Sequence, residues 1–94
     1  MSTGEIASVR VIVTGRVQGV FFRRAAAEQA RALSVGGWAR NLNDGSVEIV
    51  GEGKRANLEI LLAWAHKGPP HAQVDEVKVE WGRCEGEFEQ FQIR

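Results

Sequence analysis

Ninety-four residues, 44% of them apolar, suffice for one domain with a single core and leave no room for a second. Twelve basic side chains balance twelve acidic ones, which argues against nucleic acid or a membrane surface as the main partner, because both reward a basic face. The only cysteine is Cys84, so there is no disulfide framework and no multi-cysteine metal site. Met1 to Arg10 lacks the apolar centre of a secretory leader, and no apolar run is long enough to span a bilayer. The expectation is a cytoplasmic, monomeric, single-domain protein over 1–94, with residues 1–5 flexible.

Val9, Val11 and Val13 alternate with Ser8 and Arg10, so Ala7 to Thr14 reads as a half-buried strand. Ile12 breaks the alternation and implies a partly covered outer face. Gly15 to Gly19 follows as a loop, and a helix begins at Phe21 or Phe22 and runs to about Leu33. Phe22, Ala26, Ala30 and Leu33 share its apolar stripe, whereas Arg24, Glu28 and Arg31 lie off it. Gly36 and Gly37 are expected to end the helical region.

Trp38 to Leu42 reads as a second strand, and Asn43-Asp44-Gly45 is a strong hairpin signal. Ser46 to Gly51 returns as the third strand, with Val47 and Ile49 inward and Ser46, Glu48 and Val50 outward. Gly51 and Gly53 punctuate its exit. Lys54 to Lys67 is a second helix, its stripe built from Leu58, Leu61, Leu62 and Ala65 and widened by Ile60 and Trp64; Gly68-Pro69-Pro70 stops it. Val77, Val79 and Trp81 mark a fourth strand, Phe91 and Ile93 a short last one. The order β-α-β-β-α-β with a terminal extra strand predicts an α+β, ferredoxin-like sandwich: a mainly antiparallel sheet with two helices on one face. The crossover rule puts the first and third strands side by side at the centre.

The chemistry concentrates in Gly15-Arg16-Val17-Gln18-Gly19-Val20-Phe21-Phe22-Arg23. Glycines there let the backbone turn several N–H groups toward one point, and no Ser, Thr, Asp or Asn stands ready to cap the helix, which leaves its first amides free for an anion. Arg23 opposes the helix dipole in the first turn, a conflict that a bound anion removes. A glycine pair alone is more often turn punctuation, and no Gly-Lys-Ser/Thr follows to make a Walker loop. Asn41, at the top of the hairpin, reads either as a turn residue bonding nearby backbone or as an amide placed to hold a water or oxyanion. His66 and His71 read as surface residues without a metal pattern, Cys84 as a packing or surface thiol, and the three tryptophans as core or sheet packing. The first and third strands lack the aromatics with which an RNA-recognition domain of this topology stacks bases.

The run Gly15 to Arg23, followed by Gly37-Trp38-Ala39-Arg40-Asn41, closely resembles the two signatures of the acylphosphatases. The resemblance continues through Asp44-Gly45-Ser46-Val47-Glu48, Gly68-Pro69-Pro70-His71-Ala72-Gln73-Val74 and Phe91-Gln92-Ile93-Arg94, and so covers nearly the whole chain. Ser34 departs from it, standing where relatives often have glycine. The resemblance implies a hydrolase acting on the carboxyl–phosphate bond of small acyl phosphates, without metal or other cofactor. It implies that Arg23 binds the phosphate together with the amides of a loop formed by Gly15, Arg16, Val17, Gln18, Gly19, Val20 and Phe21, and that Asn41 orients the attacking water. Chemistry is consistent with so sparse a site: an acyl phosphate carries a good leaving group, so positioning and charge stabilisation are what remain to be supplied. A non-catalytic anion-binding module would keep the cradle but has little need of Asn41, and a purely structural spacer needs neither.

Overall fold

The computed structural model describes residues 5–94. Seven elements follow in order: β1 (Ile6–Arg16), α1 (Phe22–Ala32), β2 (Gly36–Asn41), β3 (Val47–Lys54), α2 (Arg55–Lys67), β4 (Gln73–Gly82) and β5 (Phe91–Ile93). The strands form one sheet in the order β4-β1-β3-β2-β5, with β1 and β3 central as the crossover rule requires. All pairings are antiparallel except β2 with β5. This is the ferredoxin-like α+β sandwich with one added edge strand.

Both helices pack on the face lined by Val9, Val11, Val13, Val47 and Ile49, all buried, and contribute Phe22, Ala26, Ala27 and Ala30 from α1 and Leu58, Leu61 and Ala65 from α2. The Phe22 and Trp64 rings meet at 5.2 Å and 54° between the helices, a tilted pairing that suits the ring quadrupoles. Among the described residues no helix is long and apolar enough to cross a membrane. Residues 1–4 of the expected flexible terminus lie outside the described residues, and Glu5 is held: its carbonyl accepts the Arg55 amide at 2.9 Å.

Four local expectations are corrected. Helix α1 ends at Ala32, and it is Ser34, at φ 56°, that takes the left-handed turn; Gly36 and Gly37 already belong to β2. Gly37 is required there because a Cβ would lie 1.9 Å from the Val50 carbonyl oxygen. Gly51 and Gly53 sit inside β3, which runs straight into α2. Ile60 is 52% exposed and widens no apolar stripe. Ser46 and Glu48 are buried despite their outward register. Glu48 bridges Arg10 of β1 and Arg40 of β2, its Oε1 2.6 Å from Arg40 Nε, so the outer face is closed over it by two guanidinium groups. Burial pushes the Glu48 carboxyl up, but the hydrogen bonds and charges of Arg40 and Arg10 outweigh it and hold the group below its ordinary value.

Candidate active site

Because β1 and β2 both run antiparallel to β3, their C-terminal ends emerge at the same edge of the sheet, and β5, parallel to β2, ends there too. The alternation of β2 sends Trp38 and Arg40 to the outer face and puts Ala39 and Asn41, opposite Ile49 and Val47, on the helix face. Asn41 therefore ends β2 facing the N-terminus of α1. That convergence creates a cavity of about 240 Å³ lined by Val17, Gly19 and Phe21 of the loop, Phe22, Arg23 and Arg24 of α1, Asn41, and Ile93 of β5.

The loop is shaped by its backbone. Gly15 has φ 127°, and a Cβ there would meet the Gln73 carbonyl oxygen at 2.2 Å; the ladder with β4 shifts register between Thr14 and Gly15 at that point. Gly15 and Arg16 thus end β1 rather than line the cavity. Val17 and Val20 point into the core, which leaves Gln18 half-buried and Gly19 at the surface. Phe21 caps α1 in the left-handed region at φ 63° with no side-chain cap bond. Ala25 is the first helical amide to find a partner, the Phe21 carbonyl at 3.0 Å. Among the described residues, no backbone amide from Val17 to Arg24 makes a well-formed hydrogen bond to another protein group. A row of unclaimed N–H groups beside a helix start is a preorganised anion site.

Arg23 is half-buried and fixed from one side: Nη1 donates to the Arg94 backbone oxygen at 2.7 Å. Arg94 is itself placed by its amide, which donates to the Ala39 carbonyl at 2.8 Å, and by its guanidinium, 4.9 Å from the Trp38 ring on the outer face. The same ring is also engaged by Arg40, at 4.9 Å. Among the described residues no side-chain carboxylate lines the cavity, while Arg23 and Arg24 do, so the lining side chains favour an anion. Among the described residues no group of three or more His, Cys, Asp or Glu side chains is arranged to hold a metal.

Asn41 is exposed at the strand end, and the turn behind it is tightly bonded. Leu42 N–H donates to the Ser46 carbonyl at 2.8 Å, and Gly45 N–H to the Leu42 carbonyl at 3.2 Å. The Asp44 carboxylate accepts both the Ser46 hydroxyl and the Ser46 amide, which hold Asp44 below its ordinary carboxylate value. Gln18 reaches this turn, its Nε2 donating to the carbonyls of Leu42 at 2.8 Å and Ser46 at 2.9 Å.

Of the residues the sequence singled out, Val17, Gly19, Phe21, Arg23 and Asn41 meet in the cavity; Gly15, Arg16, Gln18 and Val20 do not line it. Sequence reading missed the Arg94 backbone oxygen, Arg24 and Ile93. Ile93 was within reach, since its register opposite Ala39 puts it on the helix face. The Arg94 backbone oxygen was not, because a backbone acceptor leaves no mark in side-chain pattern.

The acylphosphatase family model matches residues 9–93. The chain is 53% identical over 85 residues to an acylphosphatase of Anaeromyxobacter dehalogenans (strain 2CP-C), covering 90% of this chain and 91% of that one. Among solved structures it is similar to an acylphosphatase from Coxiella burnetii, with TM-score 0.91, 38% identity and both chains fully covered. An acylphosphatase from Bacillus subtilis aligns with TM-score 0.90 and 34% identity, over 94% of this chain and 98% of that one.

Proposed function

The chain belongs to the acylphosphatase family, enzymes that hydrolyse acyl phosphates, and we propose that it does so by anchoring the substrate phosphate on Arg23 and the loop amides while Asn41 orients the attacking water. The observation that carries this reading is the meeting of a braced guanidinium, a row of unclaimed amides and one carboxamide at a single cavity.

In the proposed reaction the phosphate enters against the amides of the Val17 to Phe21 loop and the start of α1. Arg23 spends one donor on Arg94, and its remaining N–H groups face the equatorial oxygens. Water held by the Asn41 side chain attacks phosphorus in line with the acyl oxygen. The P–O bond to the acyl group breaks, the carboxylate leaves with the bonding pair, and the water proton passes to a phosphate oxygen, which serves as base. Charge on the equatorial oxygens is met by dipoles already in place, so little reorganisation is needed as the reaction proceeds. The carboxylate needs neither protonation nor a Lewis acid to depart, which is why the reading includes no metal. The same reading takes the enzyme to be a cytoplasmic monomer, in keeping with balanced charge and the unpaired thiol of Cys84; light scattering and cell fractionation test those two points.

Calorimetry with inorganic phosphate, run beside an acetyl phosphate turnover assay, separates the roles. Arg23→Ala should lose both phosphate binding and turnover. Asn41→Ala should keep phosphate binding and lose turnover. A protein that binds phosphate but turns nothing over even as wild type would be an anion-binding module instead.

A further inference from the structure

Gln18 is the one loop side chain that crosses to the Asn41 hairpin. Its Nε2 donates at 2.8 Å to the carbonyl of Leu42, the residue directly after Asn41, and at 2.9 Å to the carbonyl of Ser46, which precedes Val47, the strand partner of Asn41. Both contacts therefore flank the rung that holds Asn41. The hairpin end is itself stiff, through the Leu42–Ser46 backbone bond and the double acceptance by Asp44. Among the described residues no other hydrogen bond joins the loop from Val17 to Phe21 to this turn. The chemistry of the strap is specific: two carbonyl oxygens converge on one nitrogen, so the partner must present two donors without an acceptor. A primary amide does this with its NH₂ end, and the presence of two carbonyls fixes which end faces them.

We propose that Gln18 is a positioning residue that sets the distance between the phosphate bound on the loop and the water held by Asn41. The proposal rests on the roles of Arg23 and Asn41 given above. In-line attack tolerates little error, and a displacement of about 1 Å can cost about 10²-fold in rate. Phosphate affinity resides in Arg23 and the loop amides, none of which Gln18 engages. Loss of the strap should thus lower kcat and leave the competition of inorganic phosphate unchanged.

The test compares acetyl phosphate kinetics, inhibition by inorganic phosphate and circular dichroism for wild type, Gln18→Leu, Asn41→Ala and the double variant. Gln18→Leu, close in size, should fold and lose about 10- to 100-fold in kcat with the phosphate inhibition constant unmoved. In the Asn41→Ala background the same change should cost almost nothing, because Gln18 acts through Asn41; a purely structural role would give additive losses. Gln18→Glu adds a second readout. Its ionised carboxylate opposes two carbonyl oxygens and should be slower than Gln18→Leu at neutral pH. Its rate should recover as pH falls and the carboxyl gains a proton to donate, a limb that wild type lacks.

A folded Gln18→Leu with wild-type kcat, additive losses in the double variant, or no acid recovery in Gln18→Glu would each overturn the proposal. Wild type without acyl phosphate turnover would instead sink the reading on which it rests.

Discussion

A guanidinium in the first turn of a helix stands against the positive end of the dipole, a cost of a few tenths to about 1 kcal/mol, and Arg23 carries it at a position where the chain could have used any neutral residue. The Arg94 backbone oxygen explains how the side chain is held there, at 2.7 Å, and a phosphate on the neighbouring amides explains why. Lysine is a poor substitute on both counts: it offers a point charge in place of a planar fork, and cannot keep the Arg94 oxygen and two phosphate oxygens in one plane. Arg23→Lys should lose about 10²-fold in kcat/KM for acetyl phosphate, with weaker inhibition by phosphate. A lysine variant working at the wild-type rate would show that charge alone suffices. Arg23 stands out in the sequence because a cation is unexpected in the first turn of a helix; Asn41 is an ordinary turn residue by type, and its proposed role came from the family resemblance. Glu48 was not: alternation puts it outward, and only the arginines of two other strands bury it.

At the scale of elements, the site depends on where strands and helices stop. Valine alternation and the hairpin signal fixed strand identity and direction, and with them the common edge at which β1, β2 and β5 end. Element limits were harder to read. Two glycines after α1 looked like its stop, yet they are strand residues chosen for close backbone approach, at Gly37 to the Val50 carbonyl; sequence alone does not distinguish a glycine needed for a turn from one needed for space. The turn fell instead to Ser34, a residue with a Cβ held at φ 56°. Left-handed backbone costs such a residue roughly 1–2 kcal/mol, partly offset by the greater unfolded-chain entropy of glycine. Ser34→Gly should therefore raise stability to chemical denaturation by about 0.5–1 kcal/mol without altering turnover, since Ser34 lies outside the cavity. A loss of stability would mean that the serine makes up for its backbone in some other way.

For the molecule as a whole, one face of the sheet is covered by the two helices; on the other, the Arg10–Glu48–Arg40 group forms a polar centre, and the β4–β5 connection lies over Glu52, whose carboxylate accepts the amides of Glu85, Glu87 and Phe88. Glu48 is held below its unfolded value, so the stabilisation it gives is fully present above about pH 4.5, the ordinary value, and is lost as pH falls through the lower folded value. Asp44 at the hairpin acts in the same direction. Glu48→Gln should cost about 1–2 kcal/mol at neutral pH, given that both arginines are half exposed, and should flatten the decline of stability on acidification. Parallel acid limbs for the two proteins would contradict the linkage. The overall plan was readable from element order because few topologies satisfy both the crossover rule and the short hairpin; the cross-connections, from Gln18 to the hairpin and from Arg94 to Arg23, were not, because they join residues distant in sequence through backbone acceptors. The central claim is that preorganised amides, Arg23 and Asn41 suffice for the chemistry. It is tested most directly by acetyl phosphate hydrolysis in excess EDTA by wild type, Arg23→Ala and Asn41→Ala. Undiminished wild-type turnover with losses of about 10²–10³-fold in each variant is the expected result; a wild type silenced by EDTA, or alanine variants at full rate, would contradict it.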